Sequence, residues 1–266
     1  MKKLIRIIGC VYAISFCGSA LANFTGPFSN ENPSSPKSSS FTLGIDPSRE
    51  PWFAELLLEG NDLSSGLVLD QDRVNSLAQH TNRFSLVTQV GVQSGPQLLF
   101  AAYLVDTLSA DRAFPFLSRA TETGMDAIED LFRSQLNSPL NFDAIFSNYL
   151  TYIFQASAGG ARIPFKLAQA GTGVVVPVFT PQATIHSLPA DVQGSLVPYS
   201  FAIFELDHEL PANAVVTVSE ISAPTCMEGF SLLWKPASPK SIAVYATGCP
   251  QLSPQDNIVF RLTITD

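Results

Sequence analysis

The chain has 266 residues, of which 46% are hydrophobic and 14% charged, and its formal net charge is −8 at pH 7. Loss of an amino-terminal leader with Lys2, Lys3 and Arg6 would leave 15 − 3 = 12 basic against 23 acidic residues, a net charge of 12 − 23 = −11. This balance disfavours nucleic acid as a partner, because phosphate binding needs clustered Lys or Arg and the remaining sequence has no such cluster. The length and apolar content suffice for a buried core in one large domain or two smaller ones.

Residues 1–22 have the pattern of a secretory signal peptide. Lys2, Lys3 and Arg6 precede an apolar run over residues 7–16, and residues 18–22 end in the A-x-A cleavage pattern. The run is shorter than the roughly 20 residues that cross a bilayer. We therefore expect cleavage after Ala22, export to the periplasm, the cell surface or the medium, and no transmembrane span in the mature chain.

Cys10 and Cys17 lie inside this segment, and lipid attachment at either is the alternative to simple cleavage. Neither follows the expected spacing, because Cys10 lies too early and Cys17 follows the bulky Phe16. Residues 23–40 are rich in Asn, Ser and Pro and contain little to bury. They are predicted to form a flexible leader.

Between residues 41 and 160 apolar residues recur at helical spacing, which predicts a mainly helical region. The longest stripe runs from Phe142 to Phe154, and Gly159 and Gly160 should end that helix. Residues 123–126 resemble a capping box ahead of another helix. Shorter helices are predicted at residues 52–59 with Gly60 as the end, at 72–79, and from Pro96 onward, whereas residues 84–92 look strand-like.

From residue 161 to 266 the period changes to two, which indicates strands. The clearest alternation is at residues 258–265, and residues 230–235, 242–246 and 215–221 repeat it. Residues 199–206 are apolar on both faces, as in a central strand, and residues 163–178 are predicted to form a hairpin. Short strands with no helix between them predict an antiparallel β-sandwich, with a barrel as the alternative, so the fold class is α+β.

One acidic cluster is a candidate metal site. Glu205, Asp207 and Glu209 would share a face if their strand continued, and three carboxylates could hold Ca²⁺. The interpretation we favour is that the strand ends here and these side chains are solvated. Zinc is disfavoured because no histidine has a second ligand at a standard spacing, and no glycine-rich nucleotide motif occurs, so no cofactor is expected.

A serine or carboxylate hydrolase is the alternative to a binding protein. Ser94 lies between a possible strand and a helix, but the spacing departs from the G-x-S-x-G elbow by one residue, and Ser94 is better interpreted as a helix cap. Glycoside hydrolysis needs only two placed carboxylates, and nothing in the sequence selects such a pair.

Cys226 and Cys249 are the cysteines that remain after signal cleavage, and in an exported protein they are predicted to form a disulfide. Trp234 alternates in phase with Phe230 and Leu232, which predicts a place between the two sheets.

The sequence therefore favours an exported, non-enzymatic binding or assembly protein that acts through its β half on a protein or other envelope ligand. The polar connections at residues 180–195 and 237–240 are the predicted contact loops, because loops and sheet edges are where β domains meet partners. A fragment of residues 161–266 is expected to fold alone and to retain the partner.

Overall fold

The structure is a computed structural model that describes residues 50–64, 71–87, 95–158, 178–226, 229–250 and 257–265. The chain divides into Met1–Phe41 and one compact unit, Thr42–Asp266, which contains every described residue. The signal peptide, the leader, Ser94 and nearly all of the hairpin predicted at 163–178 lie outside the described residues. Within these ranges helices precede two sheets, so the α+β fold class is confirmed.

Six helices fill the first part of the described chain. They are α1 (Pro51–Ser64), α2 (Gln71–Gln79), α3 (Gly95–Leu108), α4 (Ala110–Leu117), α5 (Gly124–Leu136) and α6 (Phe142–Ala158). Helix α3 is the centre of this layer, because it is buried along nearly its whole length and contacts α1, α2, α4 and α6. No helix within the described ranges is long and apolar enough to cross a membrane.

Seven strands follow and form two sheets within the described residues. The strands are β1 (Ala183–Ile185), β2 (Ala190–Leu196), β3 (Phe201–Leu206), β4 (Val215–Ser222), β5 (Phe230–Ser238), β6 (Ser241–Gly248) and β7 (Ile258–Thr265). The first sheet has the order β1-β3-β6-β5 and the second the order β2-β7-β4. All pairs are antiparallel except β1 with β3, and the two sheets do not close into a barrel within these residues.

The central strands β3 and β6 of the first sheet are buried on both faces, which creates three layers. On one face Phe201 and Ile203 of β3 pack with the helices in a first core. On the other face Phe204 and Leu206 pack with the inner side of the second sheet in a second core, to which β7 contributes every second residue. The double-sided apolar pattern of β3 is thus explained by its place between helices and sheet.

The prediction that Gly60 ends the first helix is wrong. Helix α1 continues to Ser64, and Gly60 lies in its interior against α4. A Cβ atom at Gly60 would lie 1.9 Å from the ring carbon Cε1 of Phe114. The glycine therefore permits close packing between two helices and does not mark a helix end.

Two other local predictions differ from the structure. The hydroxyl of Thr123 makes no bond to its own helix and instead lies 2.9 Å from the carboxylate of Glu50. Residues 84–87 form no strand, although the backbone N–H of Leu86 donates to the carbonyl of Tyr199 at 3.0 Å. The rest of the segment predicted at 84–92 lies outside the described residues.

The segment 180–195 is not simply a polar loop, since it contains β1 and most of β2. These short strands form because β3 and β7 supply the pairing partners, and the segment's own alternation is weak. Trp234 also departs from its prediction, with 37% of its surface exposed. It lies on β5, an edge strand of the first sheet, where the second sheet does not fully cover it.

Candidate functional site

A pocket of about 310 Å³ lies at the end of α6, beside the first sheet. Its walls come from α6, from the segment before β1, from β3 and from the β5–β6 hairpin. The lining residues are Phe154, Ser157, Val178, Phe179, Pro181, Ile203, Glu205 and residues 237–241. Both segments that the sequence suggested as contact loops, 180–195 and 237–240, therefore contribute to one concavity, which is apolar with a few polar groups.

The alternation of β3 places a carboxylate in this pocket. Phe201, Ile203 and Glu205 point to the same side of the sheet, and the first two are buried in the core beneath the helices. Glu205 comes one step further along the strand, beyond that core, and is exposed. In the strand register Glu205 lies between Thr184 of β1 and Ser241 of β6. The surface of the sheet therefore changes from apolar to polar at this row.

The other polar groups of the pocket bond mainly to one another. The hydroxyls of Ser238 and Ser241 are 2.7 Å apart, and the backbone N–H of Lys240 donates to the Ser238 hydroxyl at 3.2 Å. The ammonium of Lys240 donates a long bond of 3.4 Å to the carbonyl of Asp207. The carboxylate of Glu205 takes part in none of the side-chain bonds or ion pairs found among the described residues.

A second polar cluster joins α6 to β5 further along the same seam. The ammonium of Lys235 donates to the carbonyl of Ser147 at 2.6 Å, to the Ser147 hydroxyl at 2.9 Å and to the Thr151 hydroxyl at 2.8 Å. The phenol of Tyr245 lies 3.1 Å from the Ser147 hydroxyl, and Lys235 lies 5.6 Å from the centre of the Tyr245 ring. The cluster holds the helix onto the edge strand.

The pKa values in this cluster are set mainly by burial. Burial lowers the pKa of Lys235 to about 8 from its ordinary 10.5. Burial raises the pKa of Tyr245, and the hydrogen bond from Ser147 offsets part of that rise. Burial together with the hydrogen bond to Asp143, at 2.8 Å, raises the pKa of Tyr199 well above its usual range. Among these groups only Lys235 titrates near neutral pH.

The distance between Ser147 and Lys235 suits a serine nucleophile with a lysine base, but two features favour a structural role. First, the three protons of the ammonium have three acceptors, so the lysine is held as a donor. Second, Ser147 lies in the interior of α6, where backbone N–H groups bond within the helix and offer no oxyanion donors. The arrangement acts first as a clamp between helix and sheet.

The predicted acidic cluster is only partly assembled. Glu205 lines the pocket, whereas Asp207 lies 2.9 Å from the Nδ1 atom of His186 on the exposed side, and Glu209 follows the end of the strand. The described residues contain no group of three His, Cys, Asp or Glu side chains placed to hold a metal ion. The calcium site therefore stays a prediction without support from the geometry.

The predicted pairing of Cys226 with Cys249 is seen at disulfide distance. Their Cα atoms are 6.2 Å apart, within the usual range for a bridge. The pair connects the segment after β4 to the residue after β6, and thereby joins the two sheets at one end. Neither cysteine lines the pocket.

Sequence reasoning did not find Lys235 and Ser147. One signal was present, since Asp143, Ser147 and Thr151 follow one another at four-residue steps and form a polar line beside the apolar stripe of α6. Nothing local connects that line to a lysine 88 residues away.

Comparison with protein-family models, with curated proteins and with solved structures finds no match for this chain.

Proposed function

We propose that the chain is an exported, non-enzymatic binding protein that takes a small, largely apolar ligand in the pocket at the end of α6. The observation that carries this proposal is the pocket itself, whose volume of about 310 Å³ lies at the lower end of the range for small-molecule sites. Most of its wall belongs to the β half, where the sequence already suggested contact loops. Export is supported by the amino-terminal pattern and by the cysteine pair at disulfide distance.

Ligand binding is tested by filling the pocket. N-phenyl-1-naphthylamine is an apolar fluorescent probe of suitable size, and wild-type protein should bind it saturably. Ala237 lines the pocket, so Ala237→Phe should weaken binding at least tenfold by occupying the space. Ser231→Phe is the matched control, because Ser231 lies exposed on the same strand away from the pocket. Equal binding by wild type and Ala237→Phe contradicts the proposal.

Export is tested on the amino terminus. Mass spectrometry of the protein recovered from the envelope or the medium should give a chain that begins at Asn23. Retention of Met1 or a lipid-modified cysteine would contradict the cleavage proposed after Ala22. The control is protein expressed in the cytosol without residues 1–22, whose mass is compared with that of the exported chain.

A hydrolase is the second candidate, favoured by the 2.9 Å contact between the Ser147 hydroxyl and the Lys235 ammonium. A reactive Ser147 would be labelled by a fluorophosphonate, more strongly at pH 9 than at pH 7 because deprotonated lysine is the base. Ser147→Ala is the control. We expect no label on the wild-type protein, and stoichiometric label at Ser147 would make the hydrolase the better proposal.

A fragment of residues 161–266 would lack the helices that cover one face of the first sheet. The face of the first sheet that carries Phe201, Ile203 and Tyr245 is covered by the helices in the full chain. Without that layer the fragment would expose a large apolar surface. Binding is therefore best tested on the complete mature protein.

A further inference from the structure

Glu205 follows the buried apolar row on its side of β3 and has no ion-pair partner among the described residues. The residues before it on the same side of β3, Phe201 and Ile203, are buried, whereas Glu205 meets no cation in any ion pair among the described residues. Glu205 is exposed, so its carboxylate keeps its hydration without a partner and is accessible to a ligand.

The surroundings of Glu205 provide oxygen acceptors. Ser241 on β6 is its direct cross-strand neighbour, and the hydrogen bond between Ser238 and Ser241 leaves acceptor capacity on the Ser241 hydroxyl whichever of the two donates. Most of the remaining described wall is apolar, including Phe154, Phe179 and Ile203. A carboxylate with hydroxyl oxygens at one end of an apolar pocket is complementary to an ammonium group on an apolar body.

Lys240 is the one other charged residue among the described residues that line the pocket. Its ammonium is directed to the carbonyl of Asp207 at 3.4 Å and forms no ion pair with Glu205. It therefore leaves the carboxylate of Glu205 free, while its charge reduces the attraction of the pocket for a second cation.

We propose that the ligand of this pocket is an apolar molecule with a primary amine, and that Glu205 is the counter-charge for its ammonium group. This inference rests on the proposed binding function and adds the chemical class of the ligand. Because Glu205 is exposed, the ion pair should change affinity only modestly, by about three- to fivefold.

The test compares three probes with one apolar body: 4-phenylbutylamine, 4-phenylbutan-1-ol and 4-phenylbutyrate. Dissociation constants are measured by NMR titration of the mature protein at pH 7 and low salt. The amine should bind about three- to fivefold more tightly than the alcohol, and the carboxylate should bind most weakly. Glu205→Gln should abolish the preference for the amine and leave the affinity for the alcohol unchanged, whereas Lys240→Met should increase the preference.

Asp207→Asn is the matched control. It removes an equal charge only two residues from Glu205, and the side chain of Asp207 does not line the pocket. It should keep the preference for the amine. Binding of the alcohol with no preference for the amine, or a preference that survives Glu205→Gln, overturns the ligand class and leaves the binding function standing. Failure of all three probes to bind overturns the ligand class, and the binding function falls with it only if N-phenyl-1-naphthylamine also fails to bind.

Discussion

Replacement of Gly194 in β2 by alanine should destabilise the protein, although propensity alone predicts the opposite. Glycine inside a strand costs about 0.5–1 kcal/mol relative to alanine. A Cβ atom at this position would lie 2.5 Å from the Cζ atom of Phe260 and 2.8 Å from that of Phe204. Both rings are fully buried and meet edge to face with centroids 5.8 Å apart, so neither can withdraw without disturbing the second core.

The magnitude follows from these two opposing contributions. Overpacking a close-packed core costs about 1–3 kcal/mol, and the gain in strand propensity offsets about 0.5–1 kcal/mol of it. The difference spans about 0–2.5 kcal/mol, and Gly194→Ala should therefore lower the free energy of unfolding by about 1 kcal/mol. Urea denaturation followed by tryptophan fluorescence and circular dichroism measures this as a lower midpoint with an unchanged slope.

Measuring Gly194→Ala in a second background, Phe260→Leu, tests whether contact with the ring causes the loss of stability. Phe260→Leu removes the ring atom nearest to the new methyl group, so Gly194→Ala should cost at least about 0.5 kcal/mol less in that background than in the wild type. The reasoning is refuted if Gly194→Ala stabilises the wild-type protein. It is equally refuted if the cost is the same in both backgrounds.

The remaining predictions concern pH and the cysteine pair. Because folding lowers the pKa of Lys235 to about 8, the unfolded chain binds the extra proton between pH 8 and 10.5, and stability should rise across that window by on the order of 1–3 kcal/mol. Lys235→Met should abolish this rise in urea titrations at several pH values; an unchanged rise would contradict the assigned cause. Above about pH 10.5 stability should instead fall with pH, because burial raises the pKa of Tyr149 and Tyr199 in the fold and their ionisation in the unfolded chain then favours unfolding; a flat profile there would contradict this assignment. The denatured, unreduced mature protein should show no free thiol, and Cys226→Ser with Cys249→Ser should lower stability by about 3 kcal/mol in the chain-entropy account; two reactive thiols would disprove the bridge.

Local periodicity was enough to predict much of the fold. The alternation at β7 and the stripe along α6 predicted both elements closely, because one buried face imposes its period on the residues that form it. The two-sided apolar run of β3 likewise indicated a strand that is covered on both sides. The pairing of Cys226 with Cys249 followed from elimination, since these are the cysteines that lie beyond the predicted signal peptide.

Other features depended on residues that are far apart in the chain. In the sequence Gly60 resembles a helix end and Gly194 a loop residue. In the structure an aromatic ring from another element lies so close to each glycine that a Cβ atom would clash with it. Glu205 was grouped with Asp207 and Glu209 because they are near in sequence, whereas the register of β3 with β6 and the end of α6 place it alone in the pocket.

The sequence by itself predicted the elements whose buried face gives a clear period, such as α6 and β7, and the likeness of the first 22 residues to a signal peptide, whereas α4 and β2 were not predicted. The tertiary structure alone decided that the helices cover the first sheet, that Lys235 reaches Ser147, and that Glu205 faces an apolar wall. The physical reason is that periodicity records whether a side chain is buried, while the identity of its neighbours depends on how separate elements pack.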